Sequence, residues 1–290
     1  MAMAEDISTP SGKDTGTENF PVGSILIRPD LRSHVHVYYR WARMADDIVD
    51  NPALSPEDKI RRLDLMEEVL LDPTRQDVPV AVAMRESLKA TKLDPVNCTD
   101  LLIAFRLDAT KLRYDDWADL MHYCRYSASP VGRYLLTLHG EAPSSMPPSD
   151  ALCNALQVIN HLQDCALDYR EMNRVYVPAD HLAAARIDVT ALDAPRSSPA
   201  LRRVLDRLLD ETEELMQTAR RLPSEVRDLR MRCESAVIVR LADKLIELLR
   251  RQDPLARRVK LKKPAIALAT LQGIGRAVLQ GGPSRKSGMQ

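Results

Sequence analysis

The sequence predicts an all-α fold, and three observations carry that prediction. Apolar residues recur at three- and four-residue steps through most of the chain, and prolines stand where first helical turns would begin. No window alternates β-branched and polar residues between tight glycine turns, the pattern a strand requires. At 290 residues and 45% hydrophobic, the chain can bury a sizeable core as one large unit or two small ones.

In chain order, residues 1–20 are small and polar and read as a disordered leader. Helices are predicted near 31–51, 56–71, 80–91, 95–110, 115–128, 130–139, 149–172, 199–221, 224–252 and 264–279. Ser55 before Pro56, Asp94 before Pro95 and Ser198 before Pro199 are N-caps, since a side-chain oxygen can satisfy a free first-turn N–H and proline fits the next position. Gly140 closes the helix over 130–139. Loops 140–149 and 186–198 are too short to separate domains and no solenoid repeat occurs, so residues 21–280 are expected to form a single helical domain, with 281–290 a flexible tail.

Lys plus Arg and Asp plus Glu balance at 41 each, which gives no global field for nucleic acid or an acidic partner. Cys98, Cys124, Cys153, Cys165 and Cys233 are odd in number and lack CxxC spacing, so they read as reduced core thiols. The leader has no apolar signal-peptide core and no run reaches the ~18 apolar residues of a membrane span, so the expected location is the cytoplasm.

Two stretches carry the candidate chemistry. In Ala151–Asp168, ALCNALQVINHLQDCALD, the polar residues Gln157, Asn160, Asp164 and Asp168 fall within about 80° of one another on a helix, wrapped by apolar neighbours. In YYRWARMADDIVD, Tyr39, Arg43, Asp46 and Asp50 line a stripe at steps of four, three and four. Each helix thus carries two carboxylates one turn apart, an arrangement that repels itself unless a cation intervenes. Four hard oxygen ligands on two facing helices suit Mg²⁺, which keeps waters and shares carboxylates with phosphate oxygens, so the expected ligand is a metal-bridged diphosphate ester. No P-loop is present, which argues against a nucleotide. The bland alternative for either DxxxD alone is a solvated helix face, but a stripe on an otherwise apolar helix has little reason to face water.

Other groups are open to two readings. Arg170, Arg174 and Tyr176 could close over a phosphate or simply end a helix in water. Arg257, Arg258, Lys260, Lys262 and Lys263 could meet a diphosphate or a membrane surface, or form a solvated face. Tyr123 and Ser127 precede a break at Pro130, and Gly132 allows close backbone approach; the kink either leaves room for a long apolar ligand or serves packing alone. His161, beside the carboxylate stripe, has at most a supporting role.

The pair ADDIVD and NHLQDCALDYREMNRVYVP, with SPVGR between them, resembles the squalene/phytoene synthase family of head-to-head prenyl diphosphate enzymes over roughly residues 20–280. The resemblance implies an isoprenoid (terpenoid) synthase fold, a single helical domain with a central cavity and the aspartate motifs near its mouth. It implies that Asp46, Asp50, Asn160, Asp164 and Asp168 hold Mg²⁺ and that Ser24, Arg43, Gln157, Asn160, Arg174 and Tyr176 bind the diphosphate of a prenyl diphosphate substrate. It also makes Tyr39 and Tyr123 cavity tyrosines that act in catalysis with Asp46 and Asp164. Where many members have LRD in the second motif this chain has LQD, so Gln163 removes one positive charge beside the site, which hints at one diphosphate rather than two. The segments ENFPVGS, AFRLDATKLRYDDW and DPLARRVKLKKPA most resemble the bacterial hopanoid branch, implying conversion of presqualene diphosphate and water to hydroxysqualene and diphosphate. The alternatives are head-to-head condensation of two prenyl diphosphates and a non-catalytic helical assembly protein. Transient contact with the inner membrane face, through the carboxy-terminal basic run, would suit so apolar a substrate.

Overall fold

The structure, a computed structural model, describes residues 26–280. Its helices are α1 (Arg32–Asp50), α2 (Pro56–Leu71), α3 (Pro79–Thr91), α4 (Val96–Thr110), α5 (Trp117–Ser127), α6 (Ser129–Leu138), α7 (Met146–Met172), α8 (Ala179–Ala184), α9 (Pro199–Ala219), α10 (Leu222–Glu225), α11 (Leu229–Arg251) and α12 (Lys263–Gln280). Short 3₁₀ turns at Pro143–Ser145 and Val189–Asp193 punctuate the loops, and no strand occurs among the described residues.

Local chemistry explains most boundaries. Ser55 Oγ accepts from Asp58 N at 3.2 Å and Ser198 Oγ from Leu201 N at 3.1 Å, each with proline opening the helix. Asp116 and Asp228 cap α5 and α11 in the same way. Gly140, at φ +71°, turns the chain out of α6. All five cysteines are free thiols.

Three expectations need correction. Asp94 does not cap α4: its carboxylate takes Val96 N at 2.8 Å, a turn two residues long, and the helix begins one residue beyond Pro95. The helix expected over 224–252 is broken, because the carboxylate of Glu141 accepts Arg227 N at 2.7 Å and Asp228 N at 2.8 Å and so ends the short α10; Asp228 then restarts the chain as α11. The six-residue α8 lies in a stretch for which no helix was predicted.

Two large apolar clusters result. One packs α1 to α4 around Trp41, Ile48, Leu63, Met66 and Met84; the other surrounds α7 with α5, α9 and α11, and Leu135 of α6 touches both. The break at Ala128 between α5 and α6 brings Gly132 so close to α7 that a Cβ there would lie 2.4 Å from Ser149 Oγ. On the outside, Ala269, Gly273 and Ala277 of α12 press onto α11 at four-residue steps, and a Cβ on Gly273 would lie 2.8 Å from Val237 Cα.

Gly273→Ala must push α12 off a rigid backbone and is expected to cost about 1–3 kcal/mol. Gly275→Ala, with nothing within 4 Å of its Cβ, should gain up to about 1 kcal/mol of helix propensity. Urea unfolding of the two variants checks this, and equal midpoints would contradict the close packing of α11 on α12.

Candidate active site

α1 ends at Asp50, so its polar stripe rises to the helix's last turn. Arg43 holds this stripe: Nη1 lies 2.9 Å from Asp46 Oδ2, and Nε donates to Asp47 Oδ1 at 2.9 Å. Asp47 has no place in the predicted site, yet it takes part of the charge that Arg43 would otherwise offer to Asp46 alone.

α7 closes with Asn173 in the left-handed region, φ +53°, where asparagine is tolerated. The turn returns Arg174 N to Asp168 O at 3.1 Å and sends the Arg174 side chain inward. There its Nη1 meets Asp50 Oδ1 at 2.7 Å, while Nη2 donates to the carbonyls of Val49 and Asp108 at 3.2 Å each. One buried guanidinium therefore ties the end of α1, the end of α4 and the end of α7 together. Arg170 instead pairs with Asp193 at 2.8 Å on the surface.

Asp164 and Asp168 sit one turn apart on α7. Arg258 Nε approaches Asp164 Oδ1 at 2.5 Å and its Nη2 reaches Oδ2 at 2.6 Å. Gln163 explains how Arg258 gets there: its buried side-chain amide donates to Val259 O at 2.6 Å and pins the 254–263 segment against α7. The charge that LQD lacks beside the second motif is thus supplied by an arginine from the far end of the chain, so the motif is not short of a cation as LQD suggests. Burial pushes the Asp168 carboxyl up to about 7, aided by the negative charges of Asp164 and Asp50 and opposed by Arg174 and Arg258.

Asp108, absent from the predicted set, stands behind these groups. It is 7% exposed and accepts Tyr123 Oη at 3.0 Å and Tyr176 Oη at 3.3 Å. Burial raises its carboxyl to about 7, against the pull of Arg174 and the Tyr123 hydrogen bond. Tyr176 stacks on His161 at 3.5 Å between ring centroids, and burial drives the His161 imidazole down to about 3, so it is neutral. Asp108 stands in AFRLDATKLRYDDW, on a helix of mixed polarity whose spacing does not single it out.

Between the helices lies a cavity of about 1410 Å³, larger than the ~300–1,000 Å³ usual for small-molecule sites. Leu101, Phe105, Val131, Leu135, Leu152, Leu156 and Ile238 are among its apolar walls. Arg43, Asp46, Asp50, Asp164, Asp168, Arg174 and Arg258 line it together, as does Tyr39. Lys59 of α2 adds a further cation, its ammonium lowered by burial and by Arg174. Tyr123 and Tyr176 lie in the layer behind, on Asp108, while Gln157 and Asn160 occupy half-buried positions on the lower turns of α7. Ser24 lies outside the described residues.

Among the described residues no three carboxylate, histidine or cysteine side chains converge into a closed metal site. The donors still fit Mg²⁺: they are hard oxygens, Asp168 is raised partly by its negative neighbours, and Mg²⁺ normally takes only one or two carboxylates beside water and phosphate.

The sequence pattern described as squalene/phytoene synthase matches residues 14–265. A hydroxysqualene synthase of Rhodopseudomonas palustris is 43% identical, with 93% of this chain and 92% of the relative covered. A hydroxysqualene synthase of Sinorhizobium fredii is also 43% identical, over 89% and 87%. Among solved structures, the squalene synthase HpnC of Alicyclobacillus acidocaldarius superposes with a TM-score of 0.73 at 32% identity, covering 84% of this chain and 90% of that one.

The raised carboxyls of Asp108 and Asp168 set a pH dependence. Each binds its proton more tightly folded than unfolded, so their contribution to stability is complete below about pH 4 and is lost as pH rises through about 7. Asp108→Asn removes one such group and should flatten the slope of unfolding free energy between pH 5 and 7 by up to about 1.4 kcal/mol per pH unit. Urea titrations of metal-free protein across that range measure it; an unchanged slope would contradict a protonated Asp108.

Proposed function

The chain belongs to the squalene/phytoene synthase family, and from that premise we propose that it converts presqualene diphosphate and water to hydroxysqualene and diphosphate in a Mg²⁺-dependent reaction. The observation that carries the reading is the meeting of two aspartate pairs and three arginines where a large apolar cavity is lined by charge. A charged head and a long hydrocarbon need that combination. The overall likeness to two hydroxysqualene synthases selects the water-capturing reaction over its relatives.

Asp46, Asp50, Asp164 and Asp168, with Asn160, would hold the metal. Mg²⁺, when bound, neutralises the diphosphate and improves it as a leaving group. Arg43, Arg174 and Arg258 rest on the same carboxylates in this structure, so each stands close enough to turn to phosphate oxygens once those carboxylates are otherwise engaged. Gln157 supports the diphosphate side, with Ser24 as a further contact, and Tyr176, whose hydroxyl is on Asp108, acts from the layer behind. The C–O bond to diphosphate breaks with its electron pair leaving on oxygen. Water then forms the new C–O bond and releases a proton. Tyr39, in the cavity wall, steadies the cation with its ring. Tyr123, whose hydroxyl is committed to Asp108, acts by fixing the wall behind it. The reaction belongs to the cytoplasm, on the route to hopanoids.

Purified enzyme given presqualene diphosphate or farnesyl diphosphate separately, with products identified by mass, tests the proposal. Hydroxysqualene from presqualene diphosphate alone, abolished by chelating the metal, is expected. Consumption of farnesyl diphosphate alone would assign the condensation step instead, and turnover of neither would favour a non-catalytic role. Asp164→Asn should lower kcat by at least about a hundredfold, on the scale of losing one charge-stabilising group, without redirecting product.

A further inference from the structure

α12 is attached to the molecule by its small residues and Ile274, and turns its three leucines outward. With Ala269, Gly273 and Ala277 against α11, the residues Leu268, Leu271, Gly275, Val278 and Leu279 fall within an arc of about 100° on the opposite side. Leu268 is 57% exposed, Leu271 70%, Val278 57% and Leu279 88%. This inverts the ordinary surface helix, in which the bulky apolar side faces the core. The charge around it is as one-sided. From residue 254 to 280 there is no carboxylate, while Arg257, Arg258, Lys260, Lys262, Lys263 and Arg276 are all exposed. Of the carboxylates of neighbouring α11, Asp243 is engaged with Arg220 at 2.7 Å and Glu247 with Lys244 at 2.8 Å, and Glu234 is buried in the cavity lining.

We propose that the outward face of α12, with the basic run preceding it, docks the protein on an anionic lipid bilayer, α12 lying in the interface plane. No helix of the described residues is long and apolar enough to cross a membrane, so the helix rests on the bilayer rather than spanning it. The apolar arc enters the acyl boundary, and Arg257, Lys260, Lys262, Lys263 and Arg276 meet lipid phosphates, while Arg258 stays on Asp164. An anionic bilayer is the occupant that answers both features, whereas a second copy of this face would bring five more cations against these. Four residues, a span of at most ~18 Å of extended chain, separate Arg258 on the catalytic carboxylates from Lys263 at the start of α12. Docking therefore sets the charged end of the cavity beside the bilayer that would supply and receive a C30 hydrocarbon. This deepens the reading above by naming the surface on which the reaction would occur.

Vesicle flotation of the full chain, without substrate or metal, tests the docking separately from the reaction. With phosphatidylglycerol/phosphatidylcholine vesicles the protein should float, and with phosphatidylcholine alone at least about tenfold less. Leu271→Glu/Leu279→Glu should reduce flotation at least about tenfold while the thermal midpoint holds, since neither side chain is packed. Lys262→Ser/Lys263→Ser should weaken binding to the anionic vesicles only. The proposal is overturned if the parent protein does not float, if the double glutamate variant floats equally well, or if sedimentation shows a dimer that this variant dissociates. A lowered thermal midpoint in that variant, with no flotation by the parent, would assign the face to another segment of this chain.

Discussion

Four aspartates gathered at one apolar cavity repel one another, and the surrounding structure answers that repulsion. Unpaired carboxylates at such a place would each cost several kcal/mol. Arg43 meets the first at Asp46, Arg174 meets the second at Asp50, and Arg258 meets the third at Asp164. Asp168 is left without so close a guanidinium, and burial, with the repulsion of Asp164 and Asp50 added to it, raises its proton affinity. The ring is balanced by side chains that all have a second possible partner in a phosphate, so a metal diphosphate could take both halves of each pair.

The arginines are delivered by unrelated local devices. Arg43 needs only helical spacing on α1. Arg174 needs the left-handed Asn173 to end α7 and reverse the chain. Arg258 needs Gln163, whose hydrogen bond to Val259 O joins two segments nearly a hundred residues apart. Behind the ring, Asp108 gathers Tyr123 and Tyr176, and its backbone carbonyl accepts from the guanidinium that holds Asp50. Charge at the cavity lining and hydroxyls in the wall therefore belong to one connected network.

Much of this could be read from periodicity. The ten longer helices and the two aspartate stripes follow from apolar spacing, because those features are local and repeat with the helix. The proline and serine boundaries were legible for the same reason. What escaped was non-local. Glu141 breaks the helix expected over 224–252 by binding backbone amides some 86 residues away, which no spacing rule reveals. Gln163 looked like a lost charge because its partner and the compensating Arg258 lie far along the chain. Asp108 went unassigned because a lone aspartate on a helix of mixed polarity has no periodic signature, and only the fold places two tyrosine hydroxyls on it.

We propose the carboxylate ring and its arginines as a metal-dependent diphosphate cradle. Calorimetric titration of inorganic pyrophosphate into the purified protein, with and without Mg²⁺, tests it most directly. Binding that is at least about tenfold tighter with the metal, a coupling of about 1.4 kcal/mol, is the predicted result. Equal affinity in the two titrations would contradict it, leaving the arginines to bind the diphosphate alone and the four aspartates without their proposed role.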